Sequence, residues 1–393
     1  MRILVLGAGP AGLTLANRLL QRGVSDVLVL ERAGEAGGLC RSAEVDGAPL
    51  DIGGGHILDT RRPRVNEFLF GFMPESEWDL YRRDSRIFIH GRHIGSPIEA
   101  NIWQLDEATQ RRYLEAIAAA GCNAGAPKPE RFVEWISWKL GRAIAEDYML
   151  PYNRKMFGDN LDSLGTYWLE KLPNVSYEET LRSCREHRPY GQQPGHATFY
   201  YPKAHGFGEL WLRMAEALGD RLRLGVPAET LDVAARRVNG EFTADLIVNT
   251  APWTSFSRLD GLSDASLAAV SALRHTSVDI DYHPETLDSP AHWIYYPDPA
   301  LPEHRRLLRP NFCPGSRGYW SETRVERSRP AAGPRFTIDY AYPLNTIGKN
   351  EAMAGLLDEC RAHGVLGLGR WGEWQHYNSD LVVERSLALA ETL

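Results

Sequence analysis

The segment RILVLGAGPAGLTLANRLLQRGVSDVLVLER, residues 2–32, runs from an apolar stretch through three glycines into an amphipathic stretch and on to a second apolar stretch. That order predicts a buried strand, a tight turn, a helix and a second buried strand, a βαβ unit. Gly7, Gly9 and Gly12 form the GxGxxG pattern, which lets a pyrophosphate reach the helix N-terminus. Glu31 lies 19 residues beyond Gly12, where a carboxylate accepts hydrogen bonds from a ribose diol. A glycine turn in an α/β domain without a ligand is the plainer alternative. Both flanking strands and the acidic residue favour a dinucleotide site.

The rest of the chain must accommodate this unit. At 393 residues, with 43% hydrophobic and 24% charged positions, it fits a globular protein of two or three domains. A net charge of -7 excludes general attraction to nucleic acid or an anionic membrane, so an anionic ligand needs a local arginine cluster. Five cysteines, an odd number without a CxxC pair, argue for reduced thiols in the cytoplasm and against a disulfide frame or a metal site. No apolar run reaches the roughly 20 residues of a membrane span, and no cleavage site follows the apolar start.

SRIFIHGRHIGSP reads as a hairpin, residues 105–197 as helices, and RRVNGEFT as strands around an Asn239–Gly240 turn. The segment from 273 to about 340 is strand-like and aromatic. These readings give an α/β fold with a helical insertion and a later strand-rich segment, the domains interleaved along the chain.

The choice of cofactor turns on the residues beyond Glu31. EAGGLCRSAEVDGAPLDIGGGH places Gly37, Gly38, Arg41 and Ser42 ahead of a second glycine cluster, Gly53 to Gly55, and His56. This order resembles flavoproteins of the amine-oxidase superfamily, in which the first loop covers the pyrophosphate and ribityl region of FAD. Arg41 has an alternative role as a solvated surface residue. Three glycines suit close approach of a flat ring better than an ordinary turn does.

YMLPYNRKMFG, HATFYYPKAHGFGELW, HWIYYPDPALPEHRRLLRPNFCPG, IDYAYPL and GRWGEWQHYNSD follow one another as do corresponding segments of UDP-galactopyranose mutases, most like the eukaryotic type. The similarity extends from about Ile3 to the final helix, with a shorter stretch at 315–335. The resemblance implies a Rossmann-like FAD-binding domain from 1–80, 198–272 and 338–393, a helical domain at 105–197 and an antiparallel β-sheet substrate domain from 81–104 and 273–337, and a mutase that exchanges pyranose and furanose forms of a nucleotide-diphosphate sugar. Reduced FAD would attack the anomeric carbon through N5 while the sugar ring opens and recloses. The reductant is unidentified, NAD(P)H being one candidate.

The resemblance also assigns residues. Tyr295, Arg305 and Tyr342 would hold the diphosphate, and Arg370 would lie near the flavin with Gly372 in the same loop. Asp380 would cap the last helix or bind a ribityl hydroxyl. Gly54, Gly55 and His56 would face the ring, with either His56 or Gly55 at N5; His56 could instead be structural. The tyrosines have an alternative as half-buried sheet aromatics. Arg306 and Arg309 adjoin Arg305 in sequence, but strand neighbours face opposite sides, so the trio cannot all reach one ligand.

The pocket departs from the family. Asn153 matches a nucleotide-binding asparagine, while Phe157 replaces a tryptophan, Glu99 a glutamine and Ser96 a tyrosine. Lys171 lies beside the position of a lost diphosphate arginine, His196 replaces an asparagine, and His376, next to Tyr377, replaces a tyrosine. Glu99 accepts but cannot donate, so it disfavours uracil carbonyls and suits a base or sugar offering N–H or O–H groups, such as guanine. Two rival classes remain: an oxidase or desaturase of the same superfamily, and a flavoprotein that binds nucleotide sugars without turnover.

Overall fold

The computed structural model describes residues 1–169, 174–191 and 197–393. The chain divides into two compact units. The first comprises 1–80, 199–275 and 340–393; the second comprises 81–198 and 276–339.

In the first unit the predicted βαβ forms as strand Ile3–Leu6, helix Pro10–Gln21 and strand Val27–Leu30. Pro10 opens the helix, where its missing N–H costs nothing. The two strands pair in parallel within a five-stranded sheet ordered Leu222–Arg223, Val27–Leu30, Ile3–Leu6, Leu246–Asn249, Val365–Gly367. Ile3, Leu6, Ile247, Val248 and Val365 are wholly buried, as expected of a parallel sheet covered on both faces. Asn239 and Gly240 both take positive φ and close the predicted hairpin between Arg237–Val238 and Phe242–Thr243.

The second unit contains helices Glu107–Ala118, Phe132–Leu140, Leu150–Phe157 and Tyr177–Glu186, together with most of a seven-stranded sheet. Asp106 and Ser176 cap two of these helices through their side chains. The expected hairpin is Ser85–Ile89 with Arg92–Gly95. Most pairings in the sheet are antiparallel, but Trp293–Tyr295 runs parallel to Ser85–Ile89, so the sheet is mixed. The parallel joint arises where the hairpin at 85–95, distant in sequence, is added to the edge of the later strands. Among the described residues, no helix is long and apolar enough to cross a membrane, and all five cysteines are free.

Candidate nucleotide and sugar sites

Gly7 has φ +105, and a Cβ there would lie 2.5 Å from Thr250 Oγ1. At Gly12 it would lie 2.0 Å from the Gly7 carbonyl oxygen, so that glycine is required for the helix to pack on the strand. Gly9 differs. Its φ is -82, and a Cβ would meet only the Gly38 Cα, at 3.8 Å. Nothing in the protein demands glycine at this position. Two glycine backbones from separate loops instead face one another beside a helix N-terminus that has no side-chain cap. The residues fit the pyrophosphate of a dinucleotide such as FAD. Glu31 is buried; its carboxylate accepts from the Ala8 N–H at 2.7 Å and the Ala33 N–H at 2.9 Å, which anchors the same loop.

Arg41 donates to the Gly38 carbonyl at 3.1 Å, fastening its own loop. Ser42 donates to Asp51 at 2.6 Å and accepts from the Gly208 N–H at 2.8 Å. Asp51 is fully buried and also accepts from the Tyr201 hydroxyl and the Phe207 N–H, each at 3.2 Å, and from the His56 backbone. Burial pushes its carboxyl up to about 6 despite the opposing bonds from Ser42, Phe207, His56 and Tyr201. Asp51 therefore ties the Gly37–Ser42 loop to the glycine–histidine bend. Sequence reading missed it, although it stands just ahead of the three glycines.

Those glycines have protein-internal reasons. A Cβ on Gly53 would fall 1.8 Å from the Leu39 carbonyl oxygen, and Gly54 has φ +93 in a turn whose N–H reaches the Asp51 carbonyl at 3.2 Å. Ring approach is thus unnecessary to explain Gly53 and Gly54, contrary to the expectation from three glycines in a row. Loop contact and turn geometry account for both. His56 places Nδ1 2.7 Å from the Gly54 carbonyl, so Nδ1 carries the hydrogen and Nε2 is the acceptor of the neutral ring. The ring stacks on Phe207, with centroids 6.0 Å apart.

A second group in this unit gathers Arg370, Tyr342, His376 and Tyr377. Arg370 donates to the Tyr377 carbonyl at 2.9 Å and the Ala341 carbonyl at 3.0 Å, and its guanidinium carbon lies 6.0 Å from the Tyr342 ring centre. The Tyr342 and His376 ring centroids are 5.1 Å apart. Burial pulls the Arg370 pKa down and pushes that of Cys40, on the Gly-Gly loop, up. Gly372 is needed by the protein itself, since a Cβ would lie 2.1 Å from the Asn249 carbonyl oxygen. Asp380 does not cap the last helix. Asn378 occupies the cap position, and the buried Asp380 carboxylate sits inside the first turn, where it takes up Arg62.

In the second unit, strand register groups the residues expected to hold the diphosphate. Tyr295 is directly opposite Arg305, and Arg305 is directly opposite Glu322, so the three side chains form a row across one sheet face. Arg305 donates through both Nε and Nη2 to Glu322, at 2.9 and 2.6 Å, and the Tyr295 hydroxyl accepts from Trp293 Nε1 at 2.9 Å. Burial would raise the Glu322 carboxyl, but the Arg305 charge beside it, with His304, holds it at about 2. Much of the Arg305 fork is thus occupied by a carboxylate that sequence reading did not identify. No motif marked Glu322; only the strand register exposes it. Arg306, next to Arg305 on the strand, turns to Glu303 and the Tyr296 ring, as strand alternation requires, whereas buried Arg309 lies beyond the strand on the turn Arg309–Asn311 and bonds the Arg317 carbonyl and Tyr282 hydroxyl.

Asn153 is buried and donates to the Met149 carbonyl one turn back at 2.7 Å, and Phe157 is buried at the end of the same helix. Glu99 lies on the short turn Ile98–Ala100 and is partly buried. Lys171 and His196 lie outside the described residues.

Residues 5–70 match the family described as NAD(P)-binding Rossmann-like domain. A Baeyer-Villiger monooxygenase from Streptomyces coelicolor is 33% identical over 99 residues, which is 25% of this chain and 16% of that protein's length. A crystal structure of reduced UDP-galactopyranose mutase superposes with TM-score 0.89 at 22% identity, covering 99% of this chain and 93% of the other. A putrescine oxidase structure superposes with TM-score 0.57 at 15% identity, covering 100% and 98%. The chain therefore has the fold seen in reduced UDP-galactopyranose mutase and in putrescine oxidase, with a Rossmann-like domain and helical and mixed-sheet regions.

Proposed function

We propose that this chain is an FAD-dependent isomerase that interconverts the pyranose and furanose forms of a nucleotide-diphosphate sugar. The observation that carries the reading is the row Tyr295–Arg305–Glu322, set in a chain whose fold follows reduced UDP-galactopyranose mutase over nearly its whole length. Bound FAD in its reduced form would supply the nucleophile for the anomeric carbon.

The chain's own residues position and neutralise. Gly9 and Gly38 admit the cofactor pyrophosphate, and Glu31 orders the loop that receives it. Arg305 and the Tyr295 hydroxyl bind the substrate diphosphate, which leaves the anomeric carbon more easily when its charge is matched. Glu322 fixes the guanidinium plane, so little side-chain entropy is lost on binding. Nε2 of His56, on the side of the ring away from the Nδ1–Gly54 bond, takes up or returns a sugar hydroxyl proton.

The test uses purified protein loaded with FAD and reduced by dithionite without oxygen. Incubation with a panel of nucleotide hexoses and deoxyhexoses is expected to give an isomer of unchanged mass, with the flavin still reduced afterwards. Oxidation of a substrate with consumption of oxygen, or tight binding with no isomer from any sugar, would overturn the reading.

A further inference from the structure

We propose that His304 is a positioning residue of the anion site: it takes up a proton when a diphosphate docks on Arg305 and, so charged, keeps Glu322 neutralised beside the ligand. The inference rests on the diphosphate reading above and concerns how a single arginine serves two anions, which that reading leaves open.

His304 immediately precedes the strand Arg305–Leu307 and is only 1% exposed. Among the described residues neither ring nitrogen makes a hydrogen bond, a rare state for a buried imidazole. Nε2 nevertheless lies 3.4 Å from Glu322 Oε2, the same oxygen that accepts from Arg305 Nε at 2.9 Å and Nη2 at 2.6 Å. The ring is thus one short movement from a charge-assisted bond to a carboxylate. Glu322 faces it from the strand Tyr319–Arg324, and Arg305 adjoins it on its own strand. Tyr296, on the other side, donates its N–H to the His304 carbonyl at 2.9 Å. The helix Leu150–Phe157 brings Tyr152, with ring centroids 6.0 Å apart, and the Lys155 ammonium, which bonds the Tyr296 and Glu303 carbonyls at 2.7 and 2.9 Å. Tyr152 also meets the Tyr295 ring edge-on at 5.5 Å, so a single tyrosine touches both His304 and the row.

Without a ligand, Arg305 and Glu322 cancel. A proton on His304 is then disfavoured by burial and by the Arg305 and Lys155 charges, against the pull of Glu322. A docked diphosphate reverses that balance, because it brings about two negative charges to a guanidinium already committed to a carboxylate. The neighbouring cations do not relieve the excess: Arg306 is on Glu303, and Arg309 is on the Arg317 carbonyl and the Tyr282 hydroxyl. The ligand cancels the Arg305 repulsion, which leaves Glu322 to draw a proton from the buffer onto the imidazole. His304 then donates from Nε2 to Glu322, and the buried carboxylate no longer opposes the ligand. Because the complex holds more protons than the free protein, affinity strengthens as pH falls and weakens as pH rises.

The test titrates FAD-loaded protein with UDP-glucose, dTDP-glucose and GDP-mannose, whose diphosphates are diesters that do not titrate near neutral pH. Calorimetry at pH 7 in buffers of different ionisation enthalpy counts the protons taken up, from the slope of observed enthalpy against buffer enthalpy. The wild type should take up about half a proton or more, and its affinity should fall about 3-fold per pH unit between pH 6 and 8. His304→Gln can still donate to Glu322 but cannot titrate, so it should bind with about zero uptake and a flat pH profile. Its FAD content and melting temperature show whether it is folded, and the wild-type proton count decides the matter without it. Binding to the wild type without uptake would overturn the role of His304. Uptake unchanged in His304→Gln would also overturn it, since the proton then goes to another group such as His56. Isomerisation without proton uptake would sink His304 and leave the mutase reading standing; uptake that depends on His304, with no isomerisation of any sugar, would do the reverse. Failure of all three to bind would overturn the diphosphate site and this role with it.

Discussion

Replacing Asp51 by asparagine should convert a pH-dependent stability into a nearly flat one. The wild-type carboxyl is fully buried and titrates near 6, against an ordinary value of 3.8. Below about pH 4 it is protonated in both folded and unfolded chains and makes no difference to the balance. As pH rises from 4 to 6, the unfolded chain releases this proton while the folded chain retains it, so the unfolded state gains and stability falls. The loss is complete once pH exceeds the folded value. A gap of about 2.2 pH units at 1.36 kcal/mol each gives about 3 kcal/mol. Asparagine cannot titrate, although it introduces an N–H₂ among groups that all donate toward Asp51, so its baseline is lower. The informative quantity is the wild-type-minus-variant difference, measured by urea unfolding at pH 3, 4.5, 6 and 7.5. That difference should decrease by about 3 kcal/mol across the series. A constant difference would show that the four hydrogen bonds offset burial. An increase with pH would show that they outweigh it, and either result would refute the reasoning.

Gly9→Ala should fold with unchanged urea stability, because its backbone suits alanine and a Cβ has only a 3.8 Å neighbour, yet it should lose FAD, as read from the flavin absorbance of purified protein. Retention of full FAD would place the pyrophosphate elsewhere. Gly53→Ala should destabilise by about 3 kcal/mol through its collision with the Leu39 carbonyl, whereas Gly34→Ala, with nothing within 4 Å, should stay within about 0.5 kcal/mol; equal unfolding midpoints would contradict this. Arg305→Ala strands a buried carboxylate and should cost about 3 kcal/mol or more, with Glu322→Gln added to the same chain recovering most of that stability but none of the nucleotide-sugar affinity. If the double variant binds as tightly as the wild type, Arg305 is structural only. The wild-type contribution of Glu322 should be full above its ordinary 4.5 and fade as pH falls toward about 2.

The βαβ unit was legible because three independent patterns, apolar runs, glycine spacing and a distant acid, agreed on one local structure. The two hairpin turns were equally plain, since His90–Gly91 and Asn239–Gly240 both adopt the positive φ such turns need. The resemblance singled out Tyr295 and Arg305 as diphosphate ligands but not their cross-strand pairing, which only the strand register shows. What eluded sequence reading was every partner set by tertiary contact. Asp51 looks like an ordinary strand-end aspartate until four donors converge on it, and Glu322 is unremarkable until the strand bearing Arg305 is laid beside it. Arg62 for Asp380 is a further example: a local pattern fixes periodicity but not which distant charge will be nearest.

Because Tyr295, Arg305 and Glu322 sit on three adjacent strands in fixed alignment, the lengths of the connections between them do not affect their spacing. Loops there can be trimmed or extended while the row Tyr295–Arg305–Glu322 stays intact. Sliding the middle strand by a single residue has the opposite effect: it would put Arg306 in the row and carry Arg305 to the other face, breaking the alignment with Tyr295 and Glu322. Alignment of neighbouring backbones, rather than distance along the chain, is therefore the quantity that a redesign of this protein must preserve.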